Sequence, residues 1–435
     1  MDEVEGGMSY RISMVGLGYV GLIHAVGFAN LGYRVLGYDV DRVKVEKLRG
    51  GNPIIYEPGL EEHLARALGS RALEFTDTIE DAILGSDVTF ITVGTPSLPD
   101  GSVDLSQVTS AARSVGRALG LKRGWHLVAV KSTVPPGTTE GLVARILEEE
   151  SGMKAFKDFG VASNPEFLRE GSALKDFFKP DRVVLGVRDE RSRDTLLKLY
   201  EPIEAPKIVT TPKVAELAKY ASNLFLAVRI SLANEVGNLC KALGVDCYEV
   251  LGIVGLDHRI GKHYLRAGLG FGGSCLPKDV RAFINVAESL GVQARIARAV
   301  LDVNEEQPRR AVELLEKHMG SLKGRRIGVL GLAFKPGTDD VRESRSLDVI
   351  RLLLEKGAEV YANDPKALDN TRRLLGDKVK LVENPQELID MVEAVVIATE
   401  WSEYENLSYK DKIVVDGRRV EGARRTAKVY EGLCW

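Results

Sequence analysis

The chain has 435 residues, of which 44% are hydrophobic and 28% charged, and its formal net charge is −3. This length suggests two or three domains, and the intermixed charges exclude the basic footprint of a nucleic-acid or anionic-lipid binder. No apolar run approaches the roughly 20 residues that cross a bilayer. The four cysteines form no CxxC pair and have no histidine-rich spacing. We therefore expect no zinc site, no disulfide framework and a reducing, cytoplasmic compartment.

Two features of composition refine this picture. The first seven residues, MDEVEGG, are acidic where a secretory signal is basic and then apolar. We expect a disordered tail or a cloning remnant before Met8. Glutamine occurs only at Gln107, Gln293, Gln307 and Gln386. Because thermolabile amides are depleted in heat-adapted proteins, we expect heat adaptation.

The first predicted part opens with an apolar strand, 12–15, that runs into the glycine-rich turn GLGYVG. A helix of small and apolar residues follows, and then a second strand over 34–38. Gly16 permits the tight turn, Gly18 lets the backbone approach a pyrophosphate, and Gly21 lets the helix pack close to the strand. The pattern predicts a dinucleotide bound at the helix N-terminus.

Asp39 follows the second strand, 18 residues beyond Gly21. A carboxylate there accepts hydrogen bonds from a ribose hydroxyl and repels a 2′-phosphate, which favours NAD over NADP. Arg42 tempers this prediction, because a nearby arginine can accommodate the phosphate.

The α/β alternation continues through DVTFITVGTP, WHLVAVKSTVPPGTT and GVASNPEFLREGSA. Each segment predicts a strand that ends in small, polar or proline residues. Ligands of open parallel sheets bind beyond the carboxyl ends of the strands, although the same residue types are ordinary turn formers. The candidate ligand residues are Thr95, Pro96, Ser132, Thr133, Asn164, Glu166 and Glu170.

The second part is predicted to be largely helical, from about 214 to about 301. In ELAKYASNLFLAVRISLANEVGNLCKALG, apolar residues recur at helical spacing over a long segment. We expect this face to pack against a twin subunit as well as its own domains. Lys219 and Asn223 are four residues apart and share a helix face, the alternative for Lys219 being a solvated surface charge.

A cysteine follows within GFGGSCLPKD, residues 270–279. Pro277 suits the first position of a helix, which places Cys275 at or just before the N-terminus, where the helix dipole favours a thiolate. Lys278 and Asp279 add a cation and a carboxylate. The cluster indicates covalent chemistry, and the alternative is a buried structural cysteine.

The third part begins near Leu322 and repeats the strand–loop–helix–strand plan of the N-terminus. Gly328 and Gly331 do not complete a dinucleotide fingerprint, so we expect a second nucleotide-binding type of sheet with another ligand. The segments VEAVVIATEW and KIVVDGRR complete it. Three cations at strand-to-loop junctions are candidates to meet phosphates or a carboxylate, or else serve solubility: Lys335, Arg342 and Arg418.

From Met8 almost to its end, the chain resembles the UDP-glucose/GDP-mannose dehydrogenase family of nucleotide-sugar 6-dehydrogenases. The matching motifs are GLGYVG, KSTVPPGTT, NPEFLREGSALKDF, PDRVVLG, ELAKYASNLFLA, RISLANEVGNLC, DHRIG, GFGGSCLPKD, GLAFKPGTDDVRES and DGRR. The resemblance implies an α/β fold with two Rossmann-like doubly wound domains joined by a long central helix that builds a homodimer. We place an NAD-binding domain at 8–200, a central helical domain with the cysteine loop at 201–305, and a UDP-binding domain at 306–435.

The residues and the resemblance together predict a four-electron oxidation of a nucleotide-sugar alcohol to a carboxylic acid. The alcohol becomes an aldehyde, Cys275 adds to it, the thiohemiacetal is oxidised to a thioester, and water releases the acid. Lys219 and Asn223 are expected to steady oxyanion charge. Asp279 is expected to take the hydroxyl proton, directly or through a water, and to help hydrolysis.

The resemblance adds Glu166 at the active site, Glu170 as general base for hydrolysis and Thr133 as an orienting residue. It implies that NAD contacts Gly16, Gly18, Tyr19, Val20, Gly21, Asp39, Arg42, Thr95, Pro96, Ser132, Thr133, Glu170, Lys278 and Arg342. It implies that the substrate contacts Glu166, Phe167, Leu168, Lys219, Asn223, Tyr264, Gly270, Phe271, Gly272, Phe334, Lys335, Arg418 and, from the other subunit, Arg259.

The motif spellings favour UDP-glucose as substrate and UDP-glucuronate as product. Alternatives are another nucleotide-sugar 6-dehydrogenase, acting on GDP-mannose or a UDP-N-acetylhexosamine, and a two-electron hydroxy-acid dehydrogenase. A non-catalytic NAD-sensing or scaffold protein would leave Cys275, Lys219 and Asp279 without a purpose.

Overall fold

The computed structural model describes residues 10–435, so the predicted tail before Met8 lies outside the described residues. The chain divides into two compact units, the first ending at Ala221 and the second covering Ser222–Trp435. Each is an α/β unit with its own sheet, and one long helix runs from the first into the second. These features confirm the predicted fold class. The domain limits at 200/201 and 305/306 stay predictions.

The sheet of the first unit has eight strands. They are β1 (Arg11–Val15), β2 (Arg34–Tyr38), β3 (Leu73–Phe75), β4 (Val88–Ile91), β5 (Leu127–Val130), β6 (Gly160–Ser163), β7 (Val183–Gly186) and β8 (Lys207–Thr210). Their order is β3-β2-β1-β4-β5-β6-β7-β8, and all neighbours are parallel except β6 and β7. The strand order reverses between β1 and β4, which creates the switch point where open α/β sheets bind ligands. The predicted bounds of β2 are confirmed, and β1 begins one residue earlier than predicted.

Eight α-helices of the described part of this unit, residues 10–221, cover the sheet. They are α1 (Tyr19–Asn30), α2 (Arg42–Arg49), α3 (Leu60–Gly69), α4 (Ile79–Leu84), α5 (Ser106–Leu121), α6 (Ala144–Ser151, preceded by a π-helical turn, Thr138–Val143), α7 (Ala173–Phe178) and α8 (Glu190–Leu199). Every residue of α1 from Gly21 to Ala29 is buried. This explains why the segment is almost entirely apolar rather than amphipathic.

The long helix α9 spans Pro212–Leu243. Pro212 opens it at a position where a missing N–H has no intrahelical partner to lose. Phe225, Leu232 and Leu239 recur every seventh residue and are 72%, 55% and 60% exposed, so they form one apolar stripe along α9. Among residues 10–435, no helix combines the length and apolar character that crossing a bilayer requires.

The second unit adds seven helices and six strands. The helices are α10 (Cys247–Val254), α11 (Leu276–Ser289), α12 (Arg295–Met319), α13 (Arg345–Glu355), α14 (Leu368–Leu375), α15 (Pro385–Met391) and α16 (Glu421–Thr426), with 3₁₀ turns at Gly376–Lys378 and Ser402–Asn406. The strands are β9 (Arg326–Leu330), β10 (Glu359–Asn363), β11 (Lys380–Leu381), β12 (Ala394–Ile397), β13 (Ile413–Asp416) and β14 (Val429–Gly432). All are parallel in the order β11-β10-β9-β12-β13-β14. The sheet therefore repeats the doubly wound plan, as predicted.

A cluster of charges ties the last strand to two helices of the second unit. The Glu431 carboxylate lies 2.5 Å from Lys241 Nζ on α9, and 2.6 Å from His318 Nε2 and 3.5 Å from Lys317 Nζ on α12. Burial opposes ionisation, but hydrogen bonds from Lys241 and His318 and the charge of Lys317 lower the pKa of Glu431 to about 2.

We expect Glu431→Gln to lower the free energy of unfolding at pH 7 by about 1–2 kcal/mol after solvent screening. Because the pKa of Glu431 is lower in the folded than in the unfolded chain, its stabilisation is complete above the unfolded value of about 4.3 and is lost as pH falls toward 2. Urea titrations between pH 3 and pH 7 measure this. The control Glu359→Gln removes an exposed carboxylate paired with Lys380. A variant with wild-type stability across this range contradicts the assignment.

Candidate active site

The glycine-rich turn between β1 and α1 fits a dinucleotide. Gly16 has φ +97°, and a Cβ there would lie 3.0 Å from Val93 atoms, so the turn requires glycine. A Cβ on Gly21 would lie 1.9 Å from the Gly16 carbonyl oxygen, whereas one on Gly18 would meet open space. Gly18 is the N-cap of α1, and no side chain caps it. Tyr19 and Val20 follow in the first turn, so the helix N-terminus is available to a pyrophosphate.

The Asp39 carboxylate lies beside this turn at the end of β2. Its Oδ2 accepts hydrogen bonds from the Leu17 N–H at 2.7 Å and from Lys44 Nζ at 2.9 Å. Arg42 is exposed at the first position of α2. A helix N-terminus next to a strand-end carboxylate fits both the pyrophosphate and the ribose of a dinucleotide.

The loops after β4, β5 and β6 carry the next candidates. Thr95 is buried, while Pro96 is exposed and Thr133 half-buried. The Ser132 hydroxyl donates to the Val93 carbonyl at 2.7 Å. Asn164 is used within the fold, because its side chain donates to the Val184 carbonyl at 2.8 Å and accepts from the Tyr200 hydroxyl at 2.6 Å.

A buried ion pair joins α9 to the loop after β6. Lys219 is 3% exposed, and its Nζ lies 3.1 Å from Glu166 Oε1. The alternative of a solvated surface lysine is therefore wrong. The other oxygen of Glu166 accepts from the Leu168 N–H at 2.5 Å. The ring of Phe167 lies 5.4 Å from Lys219 Nζ and 3.9 Å from the Arg182 guanidinium.

A second buried lysine, which the sequence did not single out, lies in the same unit. Lys131 is 2% exposed, and its Nζ donates to the Asn164 carbonyl at 3.1 Å. Burial lowers the pKa of Lys131 to about 7, with Glu166 opposing the shift and Lys219 adding to it. The first unit thus gathers two lysines and one carboxylate in a weakly solvated region, where charges interact strongly.

Cys275 is the N-cap of α11 and is exposed, whereas Cys240, Cys247 and Cys434 are buried. The alternative of a buried structural cysteine is therefore wrong. The Ser274 hydroxyl lies 3.5 Å from its Sγ. The helix begins at Leu276, so Pro277 is the second helical residue rather than the first, a position that proline also tolerates. The placement favours thiolate formation.

Asp279 follows one turn into α11 and is 1% exposed. Its Oδ2 accepts a hydrogen bond from Asn223 Nδ2 at 2.5 Å. Its Oδ1 accepts one from Lys278 Nζ. Both carboxylate oxygens are therefore oriented by neighbours, one of them on α9.

The backbone of the cysteine loop is held by buried amide side chains that the sequence did not identify. Asn304 on α12 accepts from the Phe271 N–H at 2.7 Å and donates to its carbonyl at 3.0 Å. At Gly268, the N–H donates to Asn234 Oδ1 and the carbonyl accepts from Gln307 Nε2, both at 2.7 Å. Gln307 is one of only four glutamines in the chain, and this rarity is the one feature of the sequence that draws attention to any of these three amide side chains.

Loops at the sheet of the second unit meet the cysteine loop. The Gly273 N–H donates to the Arg342 carbonyl at 3.0 Å, and a Cβ on Gly273 would lie 2.8 Å from the Phe334 ring. Arg418 donates to the Ala398 carbonyl at 2.7 Å and to the Gly270 carbonyl at 3.4 Å. The structure thus brings Phe334, Arg418 and residues 270–273 together. A Cβ on Gly272 would likewise lie 2.3 Å from the Glu343 carbonyl oxygen.

Other predicted substrate and cofactor residues have local partners. Lys335 Nζ lies 5.7 Å from the Phe334 ring centroid. The Arg342 guanidinium binds the Asp340 carboxylate, and that of Arg259 binds Asp257, each with a shortest contact of 2.6 Å. Tyr264 has φ +61° in a loop whose carbonyls at 260, 261 and 263 accept from Arg229 on α9, each at 2.8 Å.

Asp364 follows β10 and distinguishes the second sheet from the first. Asp364 occupies the place that Asp39 has in the first unit. Its two oxygens accept four backbone N–H groups, from Leu332, Ala333, Lys366 and Ala367, and the indole N–H of Trp401. With these five donors from the protein, the Asp364 carboxylate stabilises the neighbouring loops and has little capacity left to accept a bond from a ribose hydroxyl.

Three profiles of the UDP-glucose/GDP-mannose dehydrogenase family match the chain: the NAD binding domain at residues 10–204, the central domain at 213–306 and the UDP binding domain at 328–422. The chain therefore belongs to this family and contains an NAD binding domain.

The relatives extend over nearly the whole chain. The UDP-glucose 6-dehydrogenase AglM of Haloferax volcanii is 43% identical over 433 residues, which are 97% of this chain and 100% of the relative. The structure of a UDP-glucose dehydrogenase from the hyperthermophilic archaeon Pyrobaculum islandicum is 61% identical, with a TM-score of 0.96 and 100% of both chains covered. The UDP-D-ManNAc dehydrogenase of Pyrococcus horikoshii is 32% identical, with a TM-score of 0.86, 97% of this chain and 99% of the other covered.

We expect Asn304→Leu to lower the free energy of unfolding by about 2–6 kcal/mol, because it leaves the buried N–H and carbonyl of Phe271 without this partner. Asn406→Leu, at an exposed position of the same unit, should change it by less than about 0.5 kcal/mol. Urea unfolding followed by circular dichroism measures both. Equal stabilities for the two variants would show that the amide does not hold the cysteine loop.

Proposed function

We propose that the chain is a UDP-glucose 6-dehydrogenase that oxidises the C6 alcohol of UDP-glucose to UDP-glucuronate, using two NAD. The observation that carries the covalent mechanism is Cys275, the exposed cysteine at the N-cap of α11, one helical turn before the buried Asp279. The family of the chain and its UDP-glucose dehydrogenase relatives support the dehydrogenase activity.

The reaction is two successive two-electron oxidations followed by hydrolysis. NAD supplies the oxidant by accepting one hydride in each of two oxidations. In the first, the alcohol gives up a hydride and a proton and becomes an aldehyde. The Cys275 thiolate then adds to the carbonyl carbon, and the oxyanion that forms takes up a proton to give a thiohemiacetal. The thiohemiacetal gives up a second hydride and a proton and becomes a thioester. Water attacks that carbon, the carbon–sulfur bond breaks, and the acid and the thiol are released.

Two residues of α9 stabilise the oxygen of these intermediates. The Lys219 ammonium and the Asn223 amide provide donors from one helix face. Asp279 accepts the proton of the substrate hydroxyl, directly or through a water, and both its oxygens are already oriented. Glu170 activates the hydrolytic water, while Glu166 and Thr133 complete the catalytic set.

NAD binds to the turn at 16–21 and to Asp39. It also contacts residues that follow β4 and β5, namely Thr95, Pro96, Ser132 and Thr133. The remaining NAD contacts are Arg42, Glu170, Lys278 and Arg342. The UDP-sugar binds along Phe167, Leu168 and the cysteine loop, with Tyr264, Phe334, Lys335 and Arg418 on its nucleotide side.

The chain forms a homodimer through α9, with Arg259 reaching the substrate of the partner subunit. The stripe of Phe225, Leu232 and Leu239 supports this, since exposed apolar patches of this kind mark protein–protein contacts. We also place the enzyme in the cytoplasm.

We expect Cys275→Ser to retain NAD binding and to reduce UDP-glucuronate formation by on the order of 10³ or more, as removal of a covalent nucleophile does. The reason is that the aldehyde then lacks a thiolate to hold it for the second oxidation. NAD titration and chromatography of the sugar product measure the two effects. Cys240→Ala, which changes a buried cysteine of α9, serves as the control. A Ser variant that makes acid at the wild-type rate sinks the covalent mechanism.

The substrate is tested with a panel of UDP- and GDP-sugars, each with NAD and with NADP, followed by absorbance at the nicotinamide band. We expect the highest kcat/KM with UDP-glucose and NAD. Higher values with GDP-mannose or a UDP-N-acetylhexosamine would assign the chain to one of those activities, and preference for NADP would remove the role given to Asp39.

A further inference from the structure

Glu57 has no role in the proposed chemistry, yet its side chain is as deeply buried in the first unit as those of Glu166 and Lys219. It is 6% exposed and lies just before α3. Three donors from distant parts of the chain meet its carboxylate. The Tyr19 hydroxyl and the Gly171 N–H, the latter at 2.6 Å, donate to Oε2, and the Ala173 N–H donates to Oε1 at 2.7 Å.

One of these donors belongs to the dinucleotide turn. Tyr19 is the first residue of α1, and its hydroxyl donates to Glu57 while accepting from the Gly171 N–H at 3.2 Å. Burial, the hydrogen bond to Glu57 and the charges of Glu57 and Glu170 raise the pKa of Tyr19. The hydroxyl therefore stays protonated at neutral pH and remains a donor to the carboxylate.

The other two donors are Gly171, in the turn that carries Glu170, and Ala173, the first residue of α7. The Gly171 N–H, directly after Glu170, is held by Glu57. The Arg169 N–H, directly before it, donates to Asp176 Oδ2 at 2.9 Å, and the Arg169 guanidinium binds the same carboxylate. Carboxylates thus fix the backbone on both sides of Glu170. Charge-assisted bonds of this kind are about twice as strong as neutral ones.

We propose that Glu57 is a positioning residue that couples NAD binding at Tyr19 to the orientation of Glu170. This inference rests on the proposed function, which assigns Tyr19 to the NAD site and Glu170 to thioester hydrolysis. Removing the carboxylate releases the tyrosine hydroxyl and the Glu170 turn together. NAD affinity and hydrolysis therefore change together, which a residue with only a structural role would not produce.

The test is Glu57→Gln, which keeps the size of the side chain and removes its charge. We expect the dissociation constant for NAD to rise severalfold. The upper limit is about 100-fold, the value of a whole hydrogen bond to a charged group, because the lost bond holds Tyr19 rather than NAD itself. We also expect the thioester on Cys275 to accumulate severalfold in acid-quenched samples turning over UDP-glucose, as seen by intact-protein mass spectrometry. The control Glu61→Gln, on the exposed first turn of α3, should change neither quantity.

Tyr19→Phe is the second variant and serves if Glu57→Gln does not fold. It removes only the hydroxyl and leaves Glu57 its contacts with Gly171 and Ala173, so we expect smaller changes of both quantities in the same directions. A weaker NAD affinity without thioester accumulation, accumulation without weaker affinity, or a lowered melting temperature alone overturns the proposal. If the wild-type chain makes no UDP-glucuronate, the proposed function fails, and the NAD affinities of the variants still test the contact between Tyr19 and Glu57.

Discussion

Two carboxylates are held by side chains one helical turn apart on α9, and the proposed chemistry depends on both. In the first unit, Lys219 Nζ lies 3.1 Å from Glu166 Oε1, and in the second, Asn223 Nδ2 lies 2.5 Å from Asp279 Oδ2. All four residues are buried. Desolvating such groups is costly, and removing one partner of a buried ion pair costs about 3–5 kcal/mol. The sequence separation of four residues gives Lys219 and Asn223 one face of α9.

The first six strands of the first sheet have the order of the six strands of the second sheet, but the two sheets differ at the strand-end acid. At the end of β2, Asp39 accepts hydrogen bonds from the Leu17 N–H of the glycine-rich turn and from Lys44, beside open space at Gly18. At the end of β10, Asp364 is occupied by four backbone N–H groups and an indole. The same fold position therefore holds a carboxylate beside an open glycine turn in one unit and a carboxylate that binds its neighbouring loops in the other. Fold alone does not specify a ligand.

Local sequence patterns were sufficient to predict much of the fold and part of the candidate site. The fingerprint turn, β2 and Cys275 at a helix N-terminus follow from neighbouring residues, because turn glycines and helix caps act within a few positions. The roles of Glu57, Lys131 and Asn304 could not be predicted in this way. Glu57 meets donors up to 116 residues away and Asn304 a loop 33 residues away, so no local spacing signals either contact. The reversed direction of β7 also depends on a pairing made only in three dimensions.

The central claim is that one substrate molecule loses four electrons in two hydride transfers, the second of them while its carbon is bound to Cys275. Its most direct measurement is the ratio of NADH formed to UDP-glucose consumed, with limiting UDP-glucose, excess NAD and the sugar product quantified in the same sample. The account predicts two NADH for each UDP-glucose and no released aldehyde. A ratio of one, with the aldehyde as product, would contradict it.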